Sequence, residues 1–228
     1  MIIPKGYLTF GGWALMLGGA MGAVGQLVHA PDVPDSVEHI PHFLDMAVNV
    51  HVLLAWASAF VLMGLPAIFL RQAQGLKWWG WLALPLLFIA LMFEIFHGPV
   101  QILAYPILFG SIDSPAALQA VSDQINHLSV DRYPAQLLVL VPIVPFLFAG
   151  MVLLGIATLT SRTIHKAPGV ALLVVFALLV IGRFVPIRFF ELAFSYVHLA
   201  FAAYGAAIVF GRGRIAAADS PEAAAPSA

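Results

Sequence analysis

The sequence contains no cysteine, and this absence removes several kinds of chemistry. Disulfide bonds, thiolate metal ligands, iron–sulfur clusters and a cysteine nucleophile are all excluded. A metal ion or haem in this protein must therefore be held by histidine, carboxylate, methionine or tyrosine side chains.

Charged residues are also scarce. They make up 9% of the 228 residues, against about 25% in soluble proteins. Hydrophobic residues make up 62%, and the mean hydropathy is +0.98. This composition predicts an integral membrane protein. The net charge of -1 provides no basic stripe to bind phosphates, so nucleic acid is not an expected partner.

The sequence has no Walker motif, no dinucleotide-binding motif and no serine in a recognisable hydrolase context. The predicted cytoplasmic connections are too short to hold an ATPase, kinase or Rossmann domain. We therefore assign no catalytic residues from the sequence, which does not identify a reaction.

Long apolar runs are what the chain does contain. A helix needs about 20 mostly apolar residues to cross a bilayer. Six runs qualify: about Leu8–Val28, Ala47–Leu70, Trp78–His97 (which can continue past Pro99), Gln136–Leu159, Gly169–Ile187 and Phe189–Phe210. We predict an all-α, six-transmembrane helical bundle that forms one domain over residues 1–215. The Ala/Pro/Ser-rich tail, 216–228, is predicted to be disordered.

The charged residues separate by sign in this six-span arrangement. One side holds Lys5, Arg71, Lys77, Arg162, Lys166, Arg212 and Arg214. The other side holds Asp32, Asp35, Glu38, Asp45, Asp113, Asp123 and Asp131. Because basic loops stay in the cytoplasm, both termini are predicted inside and the loops 30–46 and 110–135 outside. The Ala-rich, cysteine-free composition fits a bacterial inner membrane.

The second outer loop carries the pattern of a short amphipathic helix. Ser114 can cap it, and Pro115 suits its first position. Apolar residues then recur at helical spacing at Leu118, Val121, Ile125 and Leu128. Such a helix can cover an outer cavity or simply lie at the membrane surface.

Seven of the eight histidines fall on the outer side, and only His165 is cytoplasmic. His51, His97 and His198 differ from the others because each lies within an apolar span at comparable depth. An ionisable group in lipid costs about 2.5 kcal/mol or more, so it usually faces the bundle interior and has a function there. We predict that these three imidazoles converge on one pocket.

Two further ionisable residues belong to this prediction. Glu94 precedes His97 by three positions and Gln101 follows it by four, so the three share one helix face. Glu-x-x-His is the spacing used in di-iron bundles, although those need a second copy. Arg183, in the fifth span, either pairs with Glu94 or binds an anion such as a haem propionate.

The histidines are consistent with three hypotheses: the protein binds haem b, it binds a transition metal, or it binds no cofactor. Haem b can be bound by two of His51, His97 and His198, with Arg183 at a propionate. A transition metal can be bound by the same histidines and Glu94. Either would suit an electron-transfer or accessory subunit that works with a quinone or with other membrane subunits. Alternatively, the protein is a transporter, small-ligand binder or structural subunit whose histidines only tune packing.

Two local features have more than one interpretation. Gly18 and Gly22 form a GxxxG pair, which favours close helix packing but also leaves room for a flat macrocycle. Pro142 and Pro145 interrupt the fourth span and can open a cavity beside it.

Overall fold

The computed structural model describes residues 4–29, 31–126, 133–182, 184–185 and 192–211, and of His97 and Asn126 the backbone only. These residues are mostly helical and contain no strand. The helices are α1 (Lys5–Leu27), α2 (Ile40–Gln72), α3 (Ala83–Pro99), α4 (Tyr105–Phe109), α5 (Pro115–Asn126), α6 (Leu137–Ser161), α7 (Ala167–Gly182) and α8 (Ala193–Val209). The predicted tail, 216–228, lies outside the described residues.

Four helical segments are long and apolar enough to cross a membrane: Lys5–Leu27, Val37–Gln72, Trp78–Phe109 and Pro134–Ser161. They identify a multi-pass helical membrane protein. The apolar helices α7 and α8 are shorter, with 16 and 17 residues. These two helices do not cover the whole of the predicted fifth and sixth spans. Most of the remaining positions, 183 and 186–191, lie outside the described residues.

The six longer helices pack as a ring in chain order. α1 packs on α2, α2 on α3, α3 on α6, α6 on α7 and α7 on α8, and α8 packs back on α1. Contacting helices run antiparallel. In α1, for example, Gly11 lies against Gly64 of α2, and Gly25 lies against Leu54 of the same helix. The N-termini of α1 and α3 and the C-terminus of α2 therefore lie on the same side of the ring.

Glycines allow α1 to fit closely between its two neighbours. One set, Gly11, Gly18 and Gly25, faces α2, and another set, Gly12, Gly19 and Gly22, faces α8. A Cβ at Gly18 would lie 2.6 Å from the carbonyl oxygen of Ala57. Because neighbouring helices occupy the space beside each of these glycines, the structure favours packing over a macrocycle site here.

A packed core fills the ring toward the end that carries Arg71 and Arg162. Its most buried members are Leu15, Leu65, Ile68, Phe69, Leu87, Met151, Leu154, Leu172, Phe201 and Tyr204. Two buried side-chain pairs tie helices together within it. Thr158 and Tyr204 share a hydrogen bond of 2.7 Å, and the Ser161 hydroxyl donates to Gln72 Oε1 at 2.9 Å.

A smaller apolar cluster lies at the opposite end of the molecule and contains Ile40, Phe43, Ala47, Tyr105, Phe109 and Leu118. It explains why α2 begins at Ile40 rather than at the predicted Ala47, since the added turns bury Ile40 and Phe43. The predicted amphipathic helix is present as α5 and joins the cluster through Leu118. As predicted, Ser114 caps it, accepting a hydrogen bond from the Ala117 N–H at 3.4 Å.

Candidate functional site

His51 is a buried histidine on α2 with a defined tautomer. Its Nδ1 lies 2.7 Å from the carbonyl oxygen of Ala47, one turn earlier on the same helix. Because a carbonyl can only accept, Nδ1 carries the proton and donates it. Nε2 of His51 therefore presents a lone pair, the form in which histidine binds a metal or accepts a hydrogen bond.

His29 lies directly against this nitrogen. It follows the end of α1, and its Nε2 is 3.2 Å from Nε2 of His51. The two rings have centroids 4.9 Å apart and an interplanar angle of 74°. The antiparallel packing of α1 on α2 produces the contact, because Gly25 lets Leu54 approach one turn before His29. His29 is exposed whereas His51 is buried, so the pair connects the protein surface to its interior.

His198 lies on α8 and packs face-on against α1. A Cβ at Gly22 would overlap Nδ1, Cγ and Cε1 of the imidazole, so the glycine covers the ring face. Nδ1 is buried and has no hydrogen-bond partner among the described residues. The imidazole also lines a cavity.

This cavity, which we call the inner cavity, has a volume of about 430 Å³. Its polar lining consists of Gln26, His29, Ser58, Glu94 and His198. Its apolar lining consists of Ala90, Leu91, Leu140, Ile143, Val144, Leu147, Phe194, Val197 and Phe201. The α6 residues of this lining flank Pro142 and Pro145, where the sequence predicts an opening. A volume of this size and an apolar wall with a few polar groups are typical of small-molecule sites.

A second cavity, the outer pocket, has a volume of about 420 Å³. It is lined by His29, Pro31, Val33, Pro34, Asp35, His39, His42, Phe43 and Met46. His29 lines both cavities and also contacts His51. His29 therefore borders the outer pocket, the inner cavity and the buried His51.

The structure brings together some of the predicted site residues. Glu94 and His198 line the same cavity, and His51 joins them through His29. The segment around His97 lies beside His51, since a Cβ at Gly98 would be 3.8 Å from the His51 carbonyl oxygen. The side chain of His97 and all of Arg183 lie outside the described residues, so the Glu94–Arg183 pair and the anion site stay predictions.

Within the described part of the chain, no three His, Asp or Glu side chains are grouped closely enough to hold a metal ion. The three-histidine site also stays a prediction, because the His97 side chain is not described.

Sequence reasoning missed the role of His29. The signal was present: Gly11, Gly18 and Gly25 recur every seven residues and face α2, and His29 lies one turn beyond Gly25. The predicted stripe of Glu94, His97 and Gln101 spans a local change in helix geometry. Val100–Ala104 is a π-helical turn, which alters the register after Pro99. Gln101 is buried, and its side chain is hydrogen-bonded to Tyr105.

Comparison of the chain with protein-family models, with curated proteins and with solved structures gave no match. We therefore infer the function from the site alone.

Proposed function

We propose that this membrane protein binds a transition-metal ion at His29 and His51, and serves as an electron-transfer or accessory subunit of a membrane complex. The observation that carries the proposal is the 3.2 Å separation of the two Nε2 atoms. With a proton between the two Nε2 atoms, the contact is a hydrogen bond. With a metal ion bound to both Nε2 atoms, the two histidines are its ligands.

The distance favours two adjacent ligands on one metal. Nitrogen ligands about 2.0–2.1 Å from a tetrahedral zinc lie about 3.3 Å apart. Ligands on opposite sides of a haem iron would lie about 4 Å apart at similar bond lengths. The separation of His29 and His51 matches the first arrangement, and their interplanar angle of 74° lets both rings turn their Nε2 edges to one point.

The environment of His51 supports the same assignment. Histidines that bind metals usually donate their other ring N–H to a carbonyl or carboxylate, which fixes the ring and the tautomer. The Nδ1–H bond of His51 to Ala47 has this form. His97 is the proposed third ligand, because the adjacent Gly98 lies against the backbone of His51. Imidazole ligands suit zinc, copper and iron.

Haem b is the second candidate cofactor, and His198 is the observation that favours it. Its imidazole faces a cavity with aromatic and aliphatic walls, where Phe194 and Phe201 could contact a porphyrin. The sequence predicts His51 or His97 as the axial partner of His198, and His29 lines the same cavity as His198. If neither cofactor binds, the runner-up function is a transporter, ligand binder or structural subunit.

We also propose that α7 and α8 cross the membrane, which gives six spans with both termini in the cytoplasm. Antiparallel packing of the helix ring gathers Lys5, Arg71, Lys77, Arg162 and Lys166 at one end. The positive-inside rule makes this the cytoplasmic end. His29, His51 and the inner cavity then lie toward the outer face of a bacterial inner membrane.

Metal analysis of the purified full-length protein tests this function. We expect about one metal ion per chain after dialysis against zinc or copper, and loss of that metal in His29→Ala and His51→Ala. His165→Ala is the matched control, since it changes a histidine at the opposite end of the ring. Equal metal content in all four proteins would overturn the proposal. A Soret band in the absorption spectrum would instead support haem b.

A further inference from the structure

The inner cavity has exposed apolar residues on the outer surface of the helix ring. Three of its lining residues, Leu140, Val144 and Phe194, are 36%, 46% and 41% exposed. In a membrane-spanning helix, large apolar side chains that are exposed in this way face acyl chains. A molecule dissolved in the bilayer can therefore reach the cavity between α6 and α8 without crossing the outer surface.

The wall of the cavity also carries polar groups that a lipid chain would leave without hydrogen-bond partners. Glu94 of α3 and His198 of α8 both line it. Nδ1 of His198 is buried and has no hydrogen-bond partner among the described residues. Burying such groups against hydrocarbon is unfavourable unless a bound molecule supplies hydrogen bonds.

We infer that the inner cavity binds the ring of a lipid-soluble quinone, with a carbonyl group accepting a hydrogen bond from the His198 imidazole and the apolar chain toward Leu140 and Val144. A quinone combines the required properties: a flat apolar ring, hydrogen-bond acceptors on opposite edges and a hydrocarbon tail. Phe194 and Phe201 contribute aromatic surface on the same wall. The assignment concerns binding only, and it does not depend on a metal at His29 and His51.

The volume agrees with this occupant. Small-molecule sites in proteins measure about 300–1,000 Å³, and the cavity, at about 430 Å³, lies in the lower part of that range. A quinone ring with the first part of its tail fits such a space, and the rest of the tail extends past Val144 into the bilayer.

The test is calorimetric titration of the purified full-length protein with two matched compounds. One is a benzoquinone that carries a decyl chain, and the other is decylbenzene, which has the same chain on a flat six-membered ring without carbonyls. We expect the quinone to bind at least fivefold more tightly, as one net hydrogen bond implies. Equal binding of both would mean that the cavity holds only apolar chains and would overturn the inference.

Variants locate the binding site. His198→Ala should weaken quinone binding by about fivefold and leave decylbenzene binding unchanged. Glu94→Gln, which replaces an acceptor-only carboxylate by an amide that can also donate, should not weaken quinone binding. Val144→Trp, which fills the mouth of the cavity, should abolish binding of both compounds. His165→Ala should change neither. Unaltered quinone binding in His198→Ala and Val144→Trp would reject the site, as would haem found in the cavity.

The two proposals fail separately. His51 does not line the inner cavity, so His51→Ala should remove the metal and leave quinone affinity intact. Val144→Trp should have the opposite effect.

Discussion

Gly22 of α1 lies against the flat face of the His198 imidazole on α8, with no room for a Cβ between them. This contact fixes the orientation of His198. It directs one ring face to α1, while the imidazole also lines the inner cavity. The glycine, which contributes no side chain to the site, thus acts as a positioning residue for His198.

Gly22→Ala should destabilise the protein by about 1–3 kcal/mol, the usual cost of overpacking a tight contact. The imidazole must move or α1 must separate from α8. Gly6→Ala is the matched control on the same helix, because a Cβ at Gly6 meets nothing within 4 Å. Thermal unfolding of both variants in detergent measures the difference, and a Gly22→Ala protein as stable as Gly6→Ala would contradict the contact.

Gly22→Ala also tests whether Gly22 orients His198, apart from its effect on the stability of the fold. If Gly22 orients His198, Gly22→Ala should weaken quinone binding by about as much as His198→Ala, about fivefold, even at temperatures where the variant is fully folded. Calorimetric titration at low temperature measures this. Quinone affinity equal to that of the native protein would show that the orientation of His198 is unimportant.

The buried pair of Thr158 and Tyr204 joins α6 to α8 across the core. Side-chain hydrogen bonds in membrane proteins contribute about 0.6 kcal/mol on average and up to about 1.7 kcal/mol. A double-mutant cycle of Thr158→Val and Tyr204→Phe should give a coupling energy in this range, since the bond is short, at 2.7 Å. Strictly additive effects on the free energy of unfolding would mean that the two hydroxyls do not interact.

Because the chain has no cysteine, single introduced cysteines can report its topology. Asp113→Cys should react with a membrane-impermeant maleimide in intact cells, whereas Gln74→Cys and His165→Cys should react only after the cells are opened. Phe184→Cys tests whether α7 crosses the membrane, since Phe184 follows α7 and is 80% exposed. Protection of Phe184→Cys in intact cells would argue against the fifth and sixth spans.

The sequence predicted the helices well because apolar runs of membrane length have few other solutions. α1 and α6 begin and end within a few residues of the predicted spans. The prediction failed where polar residues extend a helix. The first turns of α2, from Ile40, include His42 and Asp45, and such polar residues are typical of a loop. Their helical conformation is explained only by the apolar cluster around Phe43.

The site was harder to predict because depth along a helix does not say which way a side chain faces. His51 and His198 are predicted at similar depth, yet the described imidazole that contacts His51 is that of His29. That pairing follows from the ring order, in which α1 packs on both α2 and α8. The two glycine faces of α1 allow α2 and α8 to pack on either side of it. The sequence alone does not say which helix packs on which face.

The central claim concerns the two facing nitrogens of His29 and His51, and copper binding tests it most directly. Copper(II) added to the purified protein, labelled with nitrogen-15 histidine, should give an electron paramagnetic resonance spectrum with coupling to at least two imidazole nitrogens. Both His29→Gln and His51→Gln should lose that coupling, while His165→Gln should keep it. A protein that binds no copper, or one whose spectrum is unchanged in His29→Gln and His51→Gln, would show that the 3.2 Å contact is only a hydrogen bond.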